Sequence, residues 1–169
     1  MAKFNGYEFY KNRQVASTGI VPSAYVNAAS SQKISSVYIP ANTFSSGDIL
    51  HIEWDFKLTG STAGNTIQYL YWNETDDLTT PIQLMNRTIA NTNINIPQNR
   101  RLSIVTSDGS GTGSIMYNTS VALDSDFPVT TSAISTGLAL NWTIDSYIIL
   151  AGYSGAGTGI RSQFLKVTN

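Results

Sequence analysis

The sequence predicts an all-β protein: a jelly-roll or related Greek-key sandwich of about eight to ten antiparallel strands with little helix. Three observations predict this class. Within residues 48–59, apolar and polar side chains alternate from Leu50 to Leu58. Strand-like stretches recur roughly every eight to twelve residues, and apolar residues never keep a helical i, i+3, i+4, i+7 spacing for three turns. The chain has no cysteine, so no disulfide holds it together.

The clearest element is residues 48–59, which lie between a Ser-Ser-Gly-Asp turn signal and a Thr-Gly-Ser-Thr one. Side chains of a strand alternate between its two faces, so one face enters a core and the other meets water. The inward set is Leu50, Ile52, Trp54, Phe56 and Leu58, and the outward set is His51, Glu53, Asp55 and Lys57.

Strands are also predicted on either side of this one. Residues 33–39 place Val37 and Ile39 on one face and Ile34 and Tyr38 on the other, and Pro40 ends the strand because it cannot donate to a central ladder. Residues 66–72 form the next strand. Its two faces carry Ile67, Tyr69 and Tyr71 on one side and Gln68, Leu70 and Trp72 on the other.

The later elements are shorter. Residues 101–106 and 114–117 predict a hairpin across a glycine-rich loop, and the apolar run 146–151 predicts a strand that is covered on both faces. Further strands are predicted at 81–89, 93–96 and 160–167, and residues 138–143 are either a strand or a connecting turn.

The first thirty residues differ from the rest, because their apolar side chains are scattered among polar ones. Two interpretations stay open. Residues 1–30 are an arm that anchors the sandwich domain of residues 31–169 to another surface, or a strand near 14–21 joins the domain's own sheet. The N-terminus has no apolar h-region of a signal peptide, and no run of 18 apolar residues predicts a membrane span.

Composition limits the possible partners. Ten basic residues stand against eleven acidic ones, which argues against nucleic-acid binding because that needs a basic face. Charged residues make up 12% of the chain, and Ser, Thr and Asn together number 53. A β protein with few charges and many hydroxyl and amide groups is typical of extracellular or virion-surface domains.

No constellation predicts catalysis or a cofactor. His51 is the single histidine and is expected to lie on the outer face of its strand. Glu53 and Asp55 point to one side of the same strand, roughly 7 Å apart, but the polar row that they share predicts a solvated face. Asp124 and Asp126 could offer two oxygen ligands to calcium, with a polar loop as the alternative. We predict no enzyme, no catalytic residue, no bound metal and no cofactor.

Four aromatic residues are the candidate contact residues: Tyr69, Tyr71, Trp72 and Trp142. Flat rings suit the apolar face of a sugar, and tyrosine and tryptophan are also favoured at protein interfaces. Because Tyr69 and Tyr71 share a face with Ile67, we expect the core or a subunit contact to be their main use.

The stretch VYIPANTFSSGDIL at residues 37–50 resembles a pattern in bacteriophage virion-surface domains, in which a strand and a Gly-Asp turn lead into a long alternating strand. The apolar run at 147–152 and the strand at 164–167 resemble the close of such domains. The resemblance covers roughly residues 33–60 and 145–167 and implies a jelly-roll knob of a fibre or a capsid decoration protein, commonly a homotrimer.

The resemblance therefore implies a non-enzymatic structural protein on the virion surface that attaches to other virion proteins, either in capsid decoration or a head fibre or at a tail-fibre tip. It transfers no catalytic residues. The alternative function is a carbohydrate-binding, lectin-like module that recognises host surface glycans. A hydrolase is a third and weaker hypothesis.

Overall fold

The computed structural model describes residues 14–18, 23, 25–26, 30–60, 65–90, 97–106, 114–116, 129–134, 138–154 and 158–169. These residues contain eleven strands and no helix. The strands pair in antiparallel fashion in two sheets, with six strands in one and five in the other. The predicted all-β sandwich is confirmed.

Six of the ten pairs of successive described strands lie in different sheets, and the other four, β4–β5, β6–β7, β8–β9 and β10–β11, stay in one sheet. The six-stranded sheet has the order β1-β11-β3-β6-β7, with β10 also paired to β3, and the five-stranded sheet has the order β2-β9-β4-β5-β8. The strands are β1 Gln14–Ser17, β2 Gln32–Ile39, β3 Ile49–Gly60, β4 Asn65–Asn73, β5 Ile82–Ala90, β6 Pro97–Val105, β7 Ser114–Met116, β8 Val129–Ile134, β9 Ser146–Ser154, β10 Thr158–Arg161 and β11 Leu165–Thr168.

The core lies between the sheets and is built from the inward side chains of both. The five alternating hydrophobes of β3 are buried in it, as predicted. Burial of such side chains stabilises the fold by about 1.5–3 kcal/mol each. The opposite sheet contributes Val37, Ile39, Leu70, Trp72, Leu84, Ile148 and Leu150.

Two strand faces differ from their predicted orientation. In β2, a register shift between Lys33 and Ser35 breaks the alternation, so Ile34 joins Val37 in the core while Tyr38 stays outside. Such a bulge places two residues opposite one and rotates the side chains before it.

In β4 the inward face is the one with Leu70 and Trp72, both of which are buried in the core. Tyr69 and Tyr71 therefore lie on the outer face. Of the two expected uses, the core is therefore excluded, because Leu70 and Trp72 fill it from the opposite face of the strand. A subunit contact of Tyr69 and Tyr71 stays a prediction.

Several connections are also resolved. The predicted hairpin is confirmed, with Ile104 of β6 opposite Ile115 of β7. The single strand predicted at 160–167 is two strands, β10 and β11, separated by residues 162–164. Residues 138–143 form a connection with a turn rather than a strand. Strand β8 was not predicted, and the predicted strand at 93–96 lies outside the described residues.

Part of the N-terminal region belongs to the six-stranded sheet. Strand β1 pairs with β11 at the edge of that sheet, and Val26 exchanges two backbone hydrogen bonds with Ile160 of β10, at 2.8 and 2.9 Å. Within the predicted arm of residues 1–30, these described residues therefore pack on the sandwich itself.

Gly152 of β9 sits where the strands leave no room for a side chain. A Cβ atom there would lie 2.8 Å from the backbone oxygen of Ile67 and 3.2 Å from Cδ1 of Ile160. We expect Gly152→Ala to lower the free energy of unfolding by about 1–3 kcal/mol, because the Ile67 backbone of the neighbouring strand would have to shift to make room for the methyl group. Urea denaturation measures the loss, and Ser36→Ala, on the outer side of β2, should change it by about 0.5 kcal/mol at most. Equal effects of the two changes would contradict the steric explanation.

Candidate functional site

The outer surface of the five-stranded sheet is rich in tyrosine. Strand pairing places Tyr38 of β2 opposite Tyr147 of β9, and Ile67 of β4 opposite Tyr153 of β9. Directly opposite residues in a sheet share a face. We call this surface the tyrosine face and define it by five residues from three neighbouring strands: Tyr38, Tyr69, Tyr71, Tyr147 and Tyr153.

Tyr69 and Tyr71 form the middle of the tyrosine face. Their rings stack at a centroid distance of 5.4 Å and an interplanar angle of 11°. Burial raises the pKa of Tyr71 to about 12, and burial followed by the charge of Tyr153 raises the pKa of Tyr69. One face of each ring is turned toward the other ring, so the pair exposes less ring surface than two rings lying flat on the sheet would.

Tyr38 and Tyr147 lie at one end of the tyrosine face. Their ring centroids are 5.5 Å apart with the planes tilted by 51°, and Tyr38 remains 45% exposed. The Tyr38 hydroxyl donates a hydrogen bond to Asp145, and this bond is the main reason why the pKa of Tyr38 is raised.

Asp145 is held in place by two donors. Its Oδ1 accepts a hydrogen bond from the backbone N–H of Ala41 at 2.9 Å. This bond first, and the Tyr38 hydroxyl second, lower the pKa of the Asp145 carboxyl. The carboxylate is therefore ionised at neutral pH and fixed beside the Tyr38 hydroxyl.

Trp72 and Trp142, the two tryptophans among the predicted contact residues, lie in the core. Trp72 and Trp142 are 3% and 2% exposed and meet edge to face at 6.3 Å. Phe44 packs on Trp142 in the same way at 5.2 Å. The prediction that Trp72 and Trp142 contact a glycan or a partner is wrong, because the core covers both rings.

Trp142 instead fixes the loop that carries Asp145. Its carbonyl accepts a hydrogen bond from the Asn42 backbone N–H at 2.8 Å, which ties the loop after β2 to the loop before β9. Together with the Ala41–Asp145 bond, this contact sets the position of the carboxylate relative to Tyr38.

The tyrosine face is mainly neutral. Ser36, Gln83, Asn86 and Thr88 share it with the tyrosines by register. Lys33 lies at its margin and is paired with Asp76, with Nζ and Oδ2 2.8 Å apart. Hydroxyl and amide groups can both donate to and accept from a ligand that is itself rich in hydroxyls.

Two apolar residues lie among these rings. Ile149 and Ala151 are completely buried but belong to the outer side of β9, opposite Tyr71 and Tyr69. Because neither residue is accessible, the exposed apolar area of the tyrosine face comes from the tyrosine rings themselves.

In the six-stranded sheet, the polar side chains on the outer side of β3 contact side chains of the neighbouring strands. His51 Nδ1 lies 2.7 Å from the Ser103 hydroxyl of the neighbouring strand, and burial is the main reason why the pKa of His51 is lowered. Glu53 lies 3.6 Å from both Arg101 and Lys166. These cross-strand contacts stabilise the sheet.

Asp55, the second carboxylate of this row, is buried. Its Oδ1 accepts hydrogen bonds from the backbone N–H groups of Gln163 at 2.6 Å and Phe164 at 2.9 Å, and it lies 3.3 Å from the Ser162 hydroxyl. The expectation that Asp55 belongs to a solvated face is wrong, because the connection between β10 and β11 covers it.

The predicted calcium ligands Asp124 and Asp126 lie outside the described residues. Among the residues that are described, no group of three or more His, Cys, Asp or Glu could hold a metal ion. The described part of the chain also has no helix that is long and apolar enough to cross a bilayer.

Sequence reasoning identified two of the five residues of the tyrosine face and missed Tyr38, Tyr147 and Tyr153. The alternation of β2 had already separated Tyr38 from Val37 and Ile39, which was a usable signal. No local pattern could have shown that Tyr38 meets Tyr147, because they belong to strands far apart in sequence.

No family model matches the chain, and no curated protein matches it. Among solved structures, it is similar to the carbohydrate recognition domain of Emp46p in its potassium-bound form, with a TM-score of 0.40 and 12% identity over 99% of this chain and 92% of that one. A mutant of the same domain gives a TM-score of 0.39 and 13% identity over the same shares.

A third similar structure is described as "Prominent members of the human gut microbiota express endo-acting O-glycanases to initiate mucin breakdown". It has a TM-score of 0.39 and 8% identity, and the match covers 87% of this chain and 78% of that one. At such TM-scores the likeness assigns neither a family nor a function to this chain.

Proposed function

We propose that this protein is a non-catalytic carbohydrate-binding module that contacts neutral glycans through the tyrosine face. The observation that carries the proposal is the placement of five tyrosines from β2, β9 and β4 on one outer surface of the sandwich. A tyrosine ring offers apolar area to the CH groups of a sugar, and its hydroxyl offers a hydrogen bond.

The surroundings of the rings support a glycan as the ligand. Among the described residues, the polar groups between the rings are amides and hydroxyls, Lys33 at the margin is paired with Asp76, and the ionised Asp145 lies at one end beside Tyr38. A surface with so little free charge favours a neutral, hydroxyl-rich ligand over nucleic acid or another highly charged polymer. Tyrosine also loses little conformational entropy on binding, because it has only two side-chain torsions.

The test is the retention of glycans by the purified chain on an array of neutral and acidic glycans. We expect binding to neutral glycans and a loss of roughly fivefold or more in affinity for the double variant Tyr38→Ala/Tyr153→Ala, since tyrosines often carry about 1–2 kcal/mol at interfaces. Tyr25→Ala is the matched control. Tyr25 is 40% exposed, and its ring lies 4.5 Å from the guanidinium carbon of Arg161 on the six-stranded sheet.

The outcomes separate the two parts of the proposal. A wild-type chain that retains no glycan contradicts the function. A double variant that binds as tightly as the wild type contradicts the assignment to the tyrosine face and leaves the function in place.

A second candidate function is the structural role on a virion surface, in which the tyrosine face contacts another copy of the chain or another virion protein. The half-buried tyrosine rings of this face favour the candidate, because tyrosine is enriched at protein interfaces. It predicts an oligomer, such as a trimer, by analytical ultracentrifugation, dissociation of that oligomer by Tyr38→Ala/Tyr153→Ala, and an empty glycan array.

A further inference from the structure

One end of the tyrosine face is built differently from the rest. We call it the corner cluster and define it as Tyr38, Tyr147 and Asp145. Tyr38 is 45% exposed, whereas the other four tyrosines of the face are half-buried. Among the five described tyrosines of the face, Tyr38 is therefore the most exposed.

The carboxylate of the corner cluster has capacity for further donors. Asp145 accepts from the Ala41 backbone N–H and from the Tyr38 hydroxyl. An ionised carboxylate has about four lone-pair sites, so two donors leave room for two more. The Ala41 contact also fixes its orientation before any ligand arrives.

We infer that the corner cluster is the primary contact for a neutral hexose, whose apolar CH face lies on Tyr38 and Tyr147 while two adjacent hydroxyls donate to Asp145. This inference rests on the proposed carbohydrate-binding function. Hydrogen bonds to a charged, preorganised acceptor are stronger than those between neutral groups, so the site prefers sugars with an adjacent pair of free hydroxyls.

The alternative centre, Tyr69 and Tyr71, is less suited. Their near-parallel stacking at 5.4 Å turns one face of each ring toward the other, and burial of Tyr71 is deep enough to raise its pKa to about 12. A sugar laid on that pair meets ring edges and hydroxyl groups rather than an open ring face.

An organic cation is the other ligand that a carboxylate beside aromatic rings suits. A cage for such a cation needs ring faces that surround it. Tyr38 and Tyr147 instead pack against each other with centroids 5.5 Å apart, so nothing fits between them. Their combined outer surface is better matched to the broad face of a sugar ring.

The test titrates the full chain with methyl glycosides of glucose, galactose and mannose and follows binding by saturation-transfer NMR. On the wild type, we expect transfer to be strongest for the CH protons of one sugar face. Deoxy glycosides that lack either hydroxyl of the adjacent pair should bind roughly tenfold more weakly. This part needs no variant and so does not depend on the folding of a mutant.

Variants then assign the contact. Asp145→Asn keeps an acceptor oxygen for the Ala41 N–H but removes the charge, and we expect it to weaken binding roughly tenfold or more. Tyr38→Ala should have a similar effect. Tyr25→Ala is the control, because Tyr25 packs against Arg161 on the six-stranded sheet and its removal should alter affinity by about twofold at most.

Three results would overturn the inference. Retention of array glycans without binding of any methyl glycoside shows that the function holds but a single-hexose corner does not. Unchanged affinity in both Asp145→Asn and Tyr38→Ala shows that the contact lies elsewhere on the face. Tighter binding of tetramethylammonium than of every glycoside assigns the corner cluster to a cation. An array with no retained glycan rejects the proposed function itself.

Discussion

Truncation of Phe56 to alanine is expected to lower the free energy of unfolding by about 3–5 kcal/mol. Phe56 lies in the middle of β3 and is completely buried between the two sheets. The loss has two parts, the transfer free energy of the ring and the cavity that it leaves, because close-packed neighbours relax only partly. For a domain of this size the midpoint of thermal unfolding should fall by roughly 6–20 °C.

The three tryptophans of the chain provide the measurement. All are buried, so their fluorescence shifts to longer wavelength on unfolding and reports the stability of the core in a urea titration. Ile49→Ala is the control, since Ile49 lies in the same strand but is 41% exposed, and its truncation should cost less than about 1 kcal/mol. Similar losses at the two positions would mean that the inward stripe of β3 does not form the centre of the core.

Replacement of Asp55 by alanine should destabilise the fold by about 3 kcal/mol, although Asp55 lies on the outer side of β3. Strand β10 pairs with β3 as far as Lys57, and β11 begins its pairing at Trp54. Between them the chain leaves the ladder, and the Asp55 carboxylate accepts the N–H groups of Gln163 and Phe164 in place of a strand partner. Its removal orphans buried donors, each of which costs about 1–3 kcal/mol.

Two comparison variants sharpen this prediction. Asp55→Asn keeps an acceptor oxygen and should lose less stability than Asp55→Ala. Glu53→Ala removes a carboxylate on the same side of β3 whose two ion pairs span 3.6 Å and are partly exposed, and it should change stability by less than about 1 kcal/mol. Urea denaturation of the three variants in parallel gives the order. Equal losses in Asp55→Ala and Glu53→Ala would show that the connection between β10 and β11 does not depend on the carboxylate.

The candidate site was only partly predictable. Tyr69, Tyr71, Trp72 and Trp142 were selected from the sequence because flat rings suit a sugar or a protein partner. Alternation correctly placed the two tyrosines on one face, but the structure buries both tryptophans in the core. Residue type alone could not separate rings that touch a ligand from rings that support the loop carrying Asp145.

The sequence by itself determined the fold class and the inward set of β3, because a strand has a side-chain period of two wherever it occurs and one strongly apolar face must leave water. It also determined that the middle of β9 is covered on both sides, since an unbroken apolar run has no face to offer solvent, and residues 148–151 are completely buried.

Only the tertiary structure decided which side of β4 faces inward and which strands are neighbours. Both faces of β4 carry large aromatic rings, so alternation shows which residues share a face but not which face points into the core. A bulge such as the one in β2 also reverses the alternation locally. The Ala41–Asp145 contact joins residues 104 positions apart. Strand order and register result from packing across the whole sandwich, and no local stretch of sequence contains that information.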